Sequence, residues 1–406
     1  MSRVRRTILL ASSLALGCAP AQKASAPPVA PTANAPAGGA AHPAAATATA
    51  SSPAAPKCSY SVRRVSAAGR GALRPQVAAI ADAFAVAWEE TTDHRSIRVQ
   101  TFALDAQPLG SSIEVADVAR SAAEPRLAAN PEGDGFAVFW SADGRIDMRR
   151  IDRAGKPKSD VIPVVVAAGA RALDVTATES GYAIAWWNWS GTPHQLAVTF
   201  VDKEGRAVGK PLPITRAPSP DPTVDITRGA TLGRRAPAVL AWDETVGDAE
   251  HVIFAELLRD HLEARVDFGP GETPRIGADA ILFERPAEAA IWSALLPAGT
   301  TNRVSDGHVP AAAPRGPHAT ALCYLRDTDP SDEVHVDELV CGTLMLGQSL
   351  VEETRIAVAQ KGIYGLQLAT SGPRTAVTWQ TQEDDDTAVS FASLSCPDVG
   401  VATPRK

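Results

Sequence analysis

A short phrase returns along this chain at a nearly fixed interval. An apolar run ends in an aromatic residue at Phe84-Ala-Val-Ala-Trp88, Phe136-Ala-Val-Phe-Trp140 and Tyr182-Ala-Ile-Ala-Trp186. Fainter copies are Ala238-Val-Leu-Ala-Trp242, Ala280-Ile-Leu-Phe283, Ala321-Leu-Cys-Tyr324 and Ala376-Val-Thr-Trp379. From Trp88 to Trp379 there are six intervals of about 48 residues each. A unit of that length cannot bury its own apolar face and must stack against its copies. Known four-stranded propeller blades have periods of roughly 40–50 residues.

Other elements recur around the phrase. A short strand precedes it at Pro75-Gln-Val-Ala, Pro125-Arg-Leu-Ala, Pro222-Thr-Val-Asp and Pro274-Arg-Ile-Gly. A third strand follows at Ile97-Arg-Val-Gln-Thr-Phe, Ile146-Asp-Met-Arg-Arg-Ile and Leu196-Ala-Val-Thr-Phe-Val. Then comes an Asp-x-x-Gly turn, at Asp152 to Gly155 and Asp202 to Gly205, and a closing strand such as Ile162-Pro-Val-Val-Val. Alternation and turn residues favour strands, and no long helical period appears. The expected fold is all-β: a propeller of seven four-stranded blades, with six and eight as the neighbouring counts. The fifth copy is the weakest, because Phe283 replaces Trp and its third strand must run through Ala289-Ala-Ile-Trp-Ser. The segment 58–397 resembles secreted bacterial β-propeller proteins built from Trp-containing repeats with an Asp-x-x-Gly hairpin. That resemblance implies a fold only, because propellers host many unrelated functions.

Composition agrees with a large core. The apolar fraction of the 406 residues is 45% and the charged fraction 21%. A formal net charge of -7 argues against general nucleic-acid binding.

The first residues read as an address. Arg3, Arg5 and Arg6 precede a short apolar run, Ile8 to Leu16, which ends in Leu14-Ala15-Leu16-Gly17-Cys18. This resembles the lipobox of bacterial lipoproteins, which implies a signal peptide over 1–17 and acylation of Cys18. The alternative is an ordinary signal peptide with an incidental cysteine. Two or more acyl chains would hold the protein on a membrane where one would not. Residues 18–57 are Ala, Pro, Ser and Thr with hardly a charge, which reads as a disordered tether. Residues 398–406 form a tail. The expected location is the bacterial cell envelope, and Ala19 after the lipid cysteine favours the outer membrane by resemblance to the enterobacterial sorting rule.

Four cysteines remain: Cys58, Cys323, Cys341 and Cys396. An even number in an exported chain suggests two bridges with three connectivities. The propeller arrangement selects one. Cys323 and Cys341 fall on adjacent antiparallel strands of blade six. The last copy supplies only three strands, and Tyr60 to Val65 can complete it as the outermost strand, so that the ring has no open edge. That places Cys58 beside Cys396. The alternative is free buried thiols.

The chain has no HExxH helix, Walker loop, GxSxG elbow or CxxC pair. Ser141-Ala-Asp-Gly-Arg-Ile-Asp147 loosely echoes sialidase boxes and calcium loops, but Asp143-Gly144 reads better as a hairpin turn. Two features stand out. In Trp186-Trp187-Asn188-Trp189, strand alternation sends Trp186 and Trp187 to opposite faces and puts Trp189 at a hairpin. An exposed indole there can stack on a sugar ring; packing between blades is the competing reading. The second feature is charge. The hairpins between second and third strands share one face and carry 18 acids against four bases. Among the acids are Glu89, Glu90, Asp243, Glu244, Asp327, Asp329, Glu383, Asp384, Asp385 and Asp386. That recurrence suggests an acidic platform for a basic partner or a cation; the plainer reading is edge protection and solubility.

The expected function is a membrane-anchored, non-catalytic propeller that binds an envelope protein or glycan, with Trp187, Trp189 and the acidic hairpins as contacts. No cofactor or nucleic acid is expected, and a surface cation such as calcium is the one ion the acidic hairpins allow. The alternative is a polysaccharide hydrolase or lyase with its site over the central channel.

Overall fold

A computed structural model describes residues 58–116, 122–188, 190, 195–215, 222–296, 299–328, 336–345, 350–383 and 386–397. These form seven antiparallel sheets of four strands each. Six sheets take their strands consecutively. The seventh combines Ile363–Ser371, Arg374–Glu383 and Asp386–Ser395 with Ser59–Arg64 from the other end of the propeller. In that pairing Ser59 faces Ser395 and Arg64 faces Ser390.

The first strands of the sheets are Ala72–Ile80, Ala122–Ala129, Ala170–Ala177, Val224–Arg228, Glu272–Ile276, His308–Pro314 and Ile363–Ser371. They touch one another in an unbroken circle, the last against the first, so the sheets are the blades of a closed seven-bladed propeller. Each copy of the aromatic phrase lies on a second strand. Those strands are Ala83–Thr91, Gly135–Ala142, Gly181–Asn188, Ala238–Val246, Ala280–Arg285, Ala319–Asp327 and Arg374–Glu383. A second strand packs a neighbouring blade on both faces, which explains why its sequence is a continuous apolar run. Trp88, Trp140 and Trp242 are fully buried there. The weak fifth blade draws its third strand over Ala290–Leu295, after a single 3-10 turn at Pro286–Glu288.

The Asp-x-x-Gly turns form as their residues require. The Asp152 carboxylate accepts the Lys156 N–H at 2.8 Å, and that of Asp202 accepts the Arg206 N–H at 2.8 Å and the Glu204 N–H at 3.0 Å. Gly155 and Gly205 take φ of 84° and 83°, where a side chain would be strained.

Both cysteine pairs are bridged. Cys58–Cys396 joins residues 338 apart and Cys323–Cys341 residues 18 apart. Cys323 and Cys341 are directly opposed in register. The ring-closing bridge is also held to blade six: the Cys58 N–H donates to Thr354 Oγ1 at 3.1 Å, and Arg315 donates to the Cys396 carbonyl at 2.8 Å.

A second device joins the blades, and it was not visible in the sequence. The first strands carry a bulge at which one residue turns left-handed: Arg74, Glu124, Thr273, Val309 and Gly365, with φ between 49° and 60°. Proline follows in the first four, where its missing N–H costs the ladder nothing. In three blades the displaced N–H is received by the preceding blade, from the residue just after its aromatic. Glu89 accepts from Glu124 at 3.3 Å, Glu284 from Val309 at 2.9 Å and Gln380 from Arg74 at 3.2 Å. In blade three, Ser141 Oγ accepts the Ala172 N–H at 3.1 Å in the same manner.

This changes the expected acidic platform. Glu89 is 0% exposed and Asp243 is 3% exposed, because the residue after the aromatic still lies within the strand. Glu89 pairs with Arg74 at 2.8 Å and Arg95 at 3.6 Å, and Asp243 accepts the Thr223 N–H at 2.9 Å. Glu90 is also buried. Glu244 receives the Trp242 indole N–H and Arg265, while Glu383 and Asp386 pair with Arg64. Asp386 further caps the N–H groups of Gly69 and Gly71. Asp327 is half-buried. The described acids of these hairpins are therefore mostly consumed inside the fold. Cys18, the leader 1–17, the spacer 18–57, the tail 398–406, Trp189, Asp329, Asp384 and Asp385 lie outside the described residues.

Candidate functional site

The first strands converge on a cavity of about 580 Å³ whose wall draws on all seven blades. Small apolar residues of blade six, Ala311, Ala312 and Ala313, make one part of the wall. The rest of the wall carries the polar groups, among them Glu124, Arg126, Arg171, Asp174, Asp225 and Arg275, with Gln76 and Gln367. Trp187 also lines it.

Local sequence explains why charged groups stand there. Arg126 and Arg275 follow Pro125 and Pro274 in equivalent positions of blades two and five, directly after the bulge that re-aims the strand. Both guanidiniums are braced by backbone carbonyls. Arg126 donates to Pro125 O at 2.7 Å and to Leu173 O in the next blade, and Arg275 donates to Pro274 O at 2.8 Å. Asp174 and Asp225 occupy one phrase in adjacent blades, Leu-Asp-Val-Thr and Val-Asp-Ile-Thr. Asp174 accepts the Ile226 N–H at 2.8 Å, and Asp225 accepts the Ile276 N–H at 2.6 Å. The Asp174 charge also acts on the Asp225 carboxyl.

The electrostatics follow from crowding. Desolvation raises the Asp174 carboxyl above the usual range, opposed by the Ile226 N–H and by Arg126. Desolvation, and next the Asp174 charge, push Asp225 up to about 7. Two neighbouring buried carboxyls do not both ionise cheaply, which favours a proton on the pair toward neutrality. Desolvation likewise lowers Arg126, against the pull of Asp174 and Glu124. The outer charges are matched: Arg74 with Glu89 at 2.8 Å and Arg171 with Glu124 at 3.6 Å.

The sequence-predicted contacts fall differently. Trp187 is only 2% exposed, and Trp186, bonded through its indole N–H to Thr199 at 2.9 Å, is buried as well. Alternation does place them on two faces, but both faces of this second strand are covered by neighbouring blades. Trp187 thereby reaches the cavity wall, while Asp243 does not. In the echo of a calcium loop, Asp147 is buried and paired with Arg145 at 2.7 Å, and Asp143 takes the left-handed conformation of a hairpin turn. Five histidines are tied to carboxylates: His318 to Asp279 at 2.7 Å, His261 to Asp260 at 2.8 Å, His251 to Asp267 at 3.0 Å, His308 to Asp337 at 3.6 Å and His94 to Glu114 at 3.8 Å. The Arg126, Asp174, Asp225 and Arg275 group was missed. Its signal was present, as charged residues on first strands where an apolar side chain would otherwise be expected.

No protein-family model matches the chain, and no curated protein matches it in sequence. Solved structures share the propeller fold at low identity. The β-propeller domain of the Trilobed protease from Pyrococcus furiosus is 10% identical with a TM-score of 0.48, over 81% of this chain and 94% of that one. TolB from Acinetobacter baumannii is 10% identical with a TM-score of 0.41, over 73% and 82%. The acylaminoacyl peptidase of Pyrococcus horikoshii is 10% identical with a TM-score of 0.47, over 77% of this chain; the chain spans about half of that enzyme, 49% of its length.

Proposed function

We propose that this chain is a lipid-anchored propeller of the bacterial envelope that binds a glycan in its axial cavity without turning it over. The observation that carries the reading is the cavity itself: about 580 Å³, with fixed polar groups from several blades, a composition suited to the hydroxyls of a sugar. The anchor rests on the Arg-rich leader and Cys18, and the spacer would let the propeller stand off the membrane. Among the described residues, no helix is long and apolar enough to cross a membrane.

The Asp174 and Asp225 carboxyls are each occupied by a backbone N–H, of Ile226 and Ile276, which favours binding over hydrolysis. The described lining residues include no Ser, His or Cys that would serve as a nucleophile or its base. A panel of envelope oligosaccharides incubated with the full-length chain tests the reading. Saturable binding with no products by mass spectrometry is expected, and product formation would establish the hydrolase or lyase instead. Cys18→Ser should release the protein from the membrane fraction, and retention would reject the anchor.

A further inference from the structure

The charges around the cavity do not cancel. Arg74 and Arg171 each have a carboxylate partner, Glu89 and Glu124. Arg126 and Arg275 are instead held by backbone carbonyls, with Asp174 near both, Asp225 near Arg275, and Glu124, already paired with Arg171, near Arg126. Burial disfavours the charged form of both Asp174 and Asp225, so they offset the two guanidiniums only in part.

Geometry narrows the anion. Carbonyl bonds fix both guanidiniums before any ligand arrives, so little side-chain entropy is lost on binding. A guanidinium fork matches a carboxylate with two parallel bonds. Gln76 and Gln367 in the same wall offer neutral donors and acceptors to hydroxyls. We propose that the axial cavity recognises an acidic sugar, the uronate unit of a glycan, with Arg126 and Arg275 contacting its carboxylate. This rests on the glycan-binding reading and adds the charge of the ligand to it.

Proton linkage follows. The groups facing the pair are Arg126 and Arg275, and those facing Arg126 beyond it are Glu124 and Arg74. A bound carboxylate disfavours loss of a proton from the pair. Affinity should then fall as the pH rises through the range in which the pair gives that proton up.

Calorimetry of the full-length chain with trigalacturonate and with neutral galactotriose tests this at pH 5.5 and pH 8. The expected result is binding of the acidic trimer about 10-fold or more tighter than the neutral one at pH 5.5, with a smaller margin at pH 8. Arg275→Gln should remove the preference, and Asp225→Asn, which keeps an acceptor for the Ile276 N–H, should remove the pH dependence. Arg126→Gln should act like Arg275→Gln but breaks the brace to Leu173, so Arg275→Gln is the deciding variant. Equal affinity for the two trimers would overturn the uronate assignment and leave glycan binding standing. Binding of neither would overturn both.

Discussion

The Glu89 carboxylate of blade one accepts the backbone N–H of Glu124 in blade two at 3.3 Å. The acceptor is fully buried, and the donor belongs to a left-handed residue whose N–H has left its own ladder. The contact turns a local bulge into a latch between blades. Glu89→Ala would strand that N–H and leave Arg74 and Arg95 without their common partner, at a cost of about 1–3 kcal/mol. Glu89→Gln retains an acceptor and should cost less. Urea midpoints with an unchanged m-value would show this; two equal midpoints for the alanine variant and the parent would reject the latch.

Trp140 fills the seam between blades one and two, against Val99, Ile97 and Leu127. Trp140→Ala should destabilise by about 3–5 kcal/mol, through lost burial and an unfilled cavity. Thermal and chemical melts measure it, and a loss below about 1 kcal/mol would mean that the seam collapses around the gap.

Ring closure depends on a single strand and one bridge. Replacing Cys58 and Cys396 together with serine should lower stability by roughly 2–5 kcal/mol, since a loop of 338 residues is then unconstrained in the unfolded chain. Limited proteolysis near Ser59–Arg64 should accelerate first, because that edge strand is exposed and held on one side only. Protection equal to the parent would show that strand pairing alone keeps the ring shut.

The Asp174 and Asp225 pair predicts a pH dependence of opposite sign to an ordinary salt-bridged carboxylate. Burial, and for Asp225 the neighbouring Asp174 charge, raise the folded-state pKa above the ordinary carboxyl range, to about 7 for Asp225. The folded state thus holds a proton that the unfolded state has released. The contribution to stability is full at pH below about 4 and is lost as the pH rises through about 7. Asp225→Asn should flatten this slope, so the variant gains on the parent between pH 5 and pH 8. A parallel pair of stability profiles would show that Asp225 takes up no proton on folding in that range.

Much of the architecture was legible because β structure writes itself at two scales. Alternation and turns marked the strands, and the aromatic phrase marked the unit, so even the weak fifth copy around Phe283 could be placed. The pairing of Cys58 with Cys396 followed once the last unit lacked a strand. The acids after the aromatics misled, because sequence alone does not say where a strand ends and a hairpin begins. Glu89 lies two residues before the end of its strand and Asp243 three before the end of its own, where a carboxylate must find partners within the fold.

The chain's own residues determined the repeat, the strands within it, the turns at Gly155 and Gly205, and the way its ends meet, since these depend on contacts between neighbours in sequence or on a count of strands. The tertiary structure alone decided which charges are spent on latches and which face the axis. Arg126, Asp174, Asp225 and Arg275 come from three blades beginning at Ala122, Ala170 and Val224 and a fourth at Glu272. They become neighbours only when the circle of first strands closes, because long-range proximity arises from ring closure and leaves no local periodicity to read.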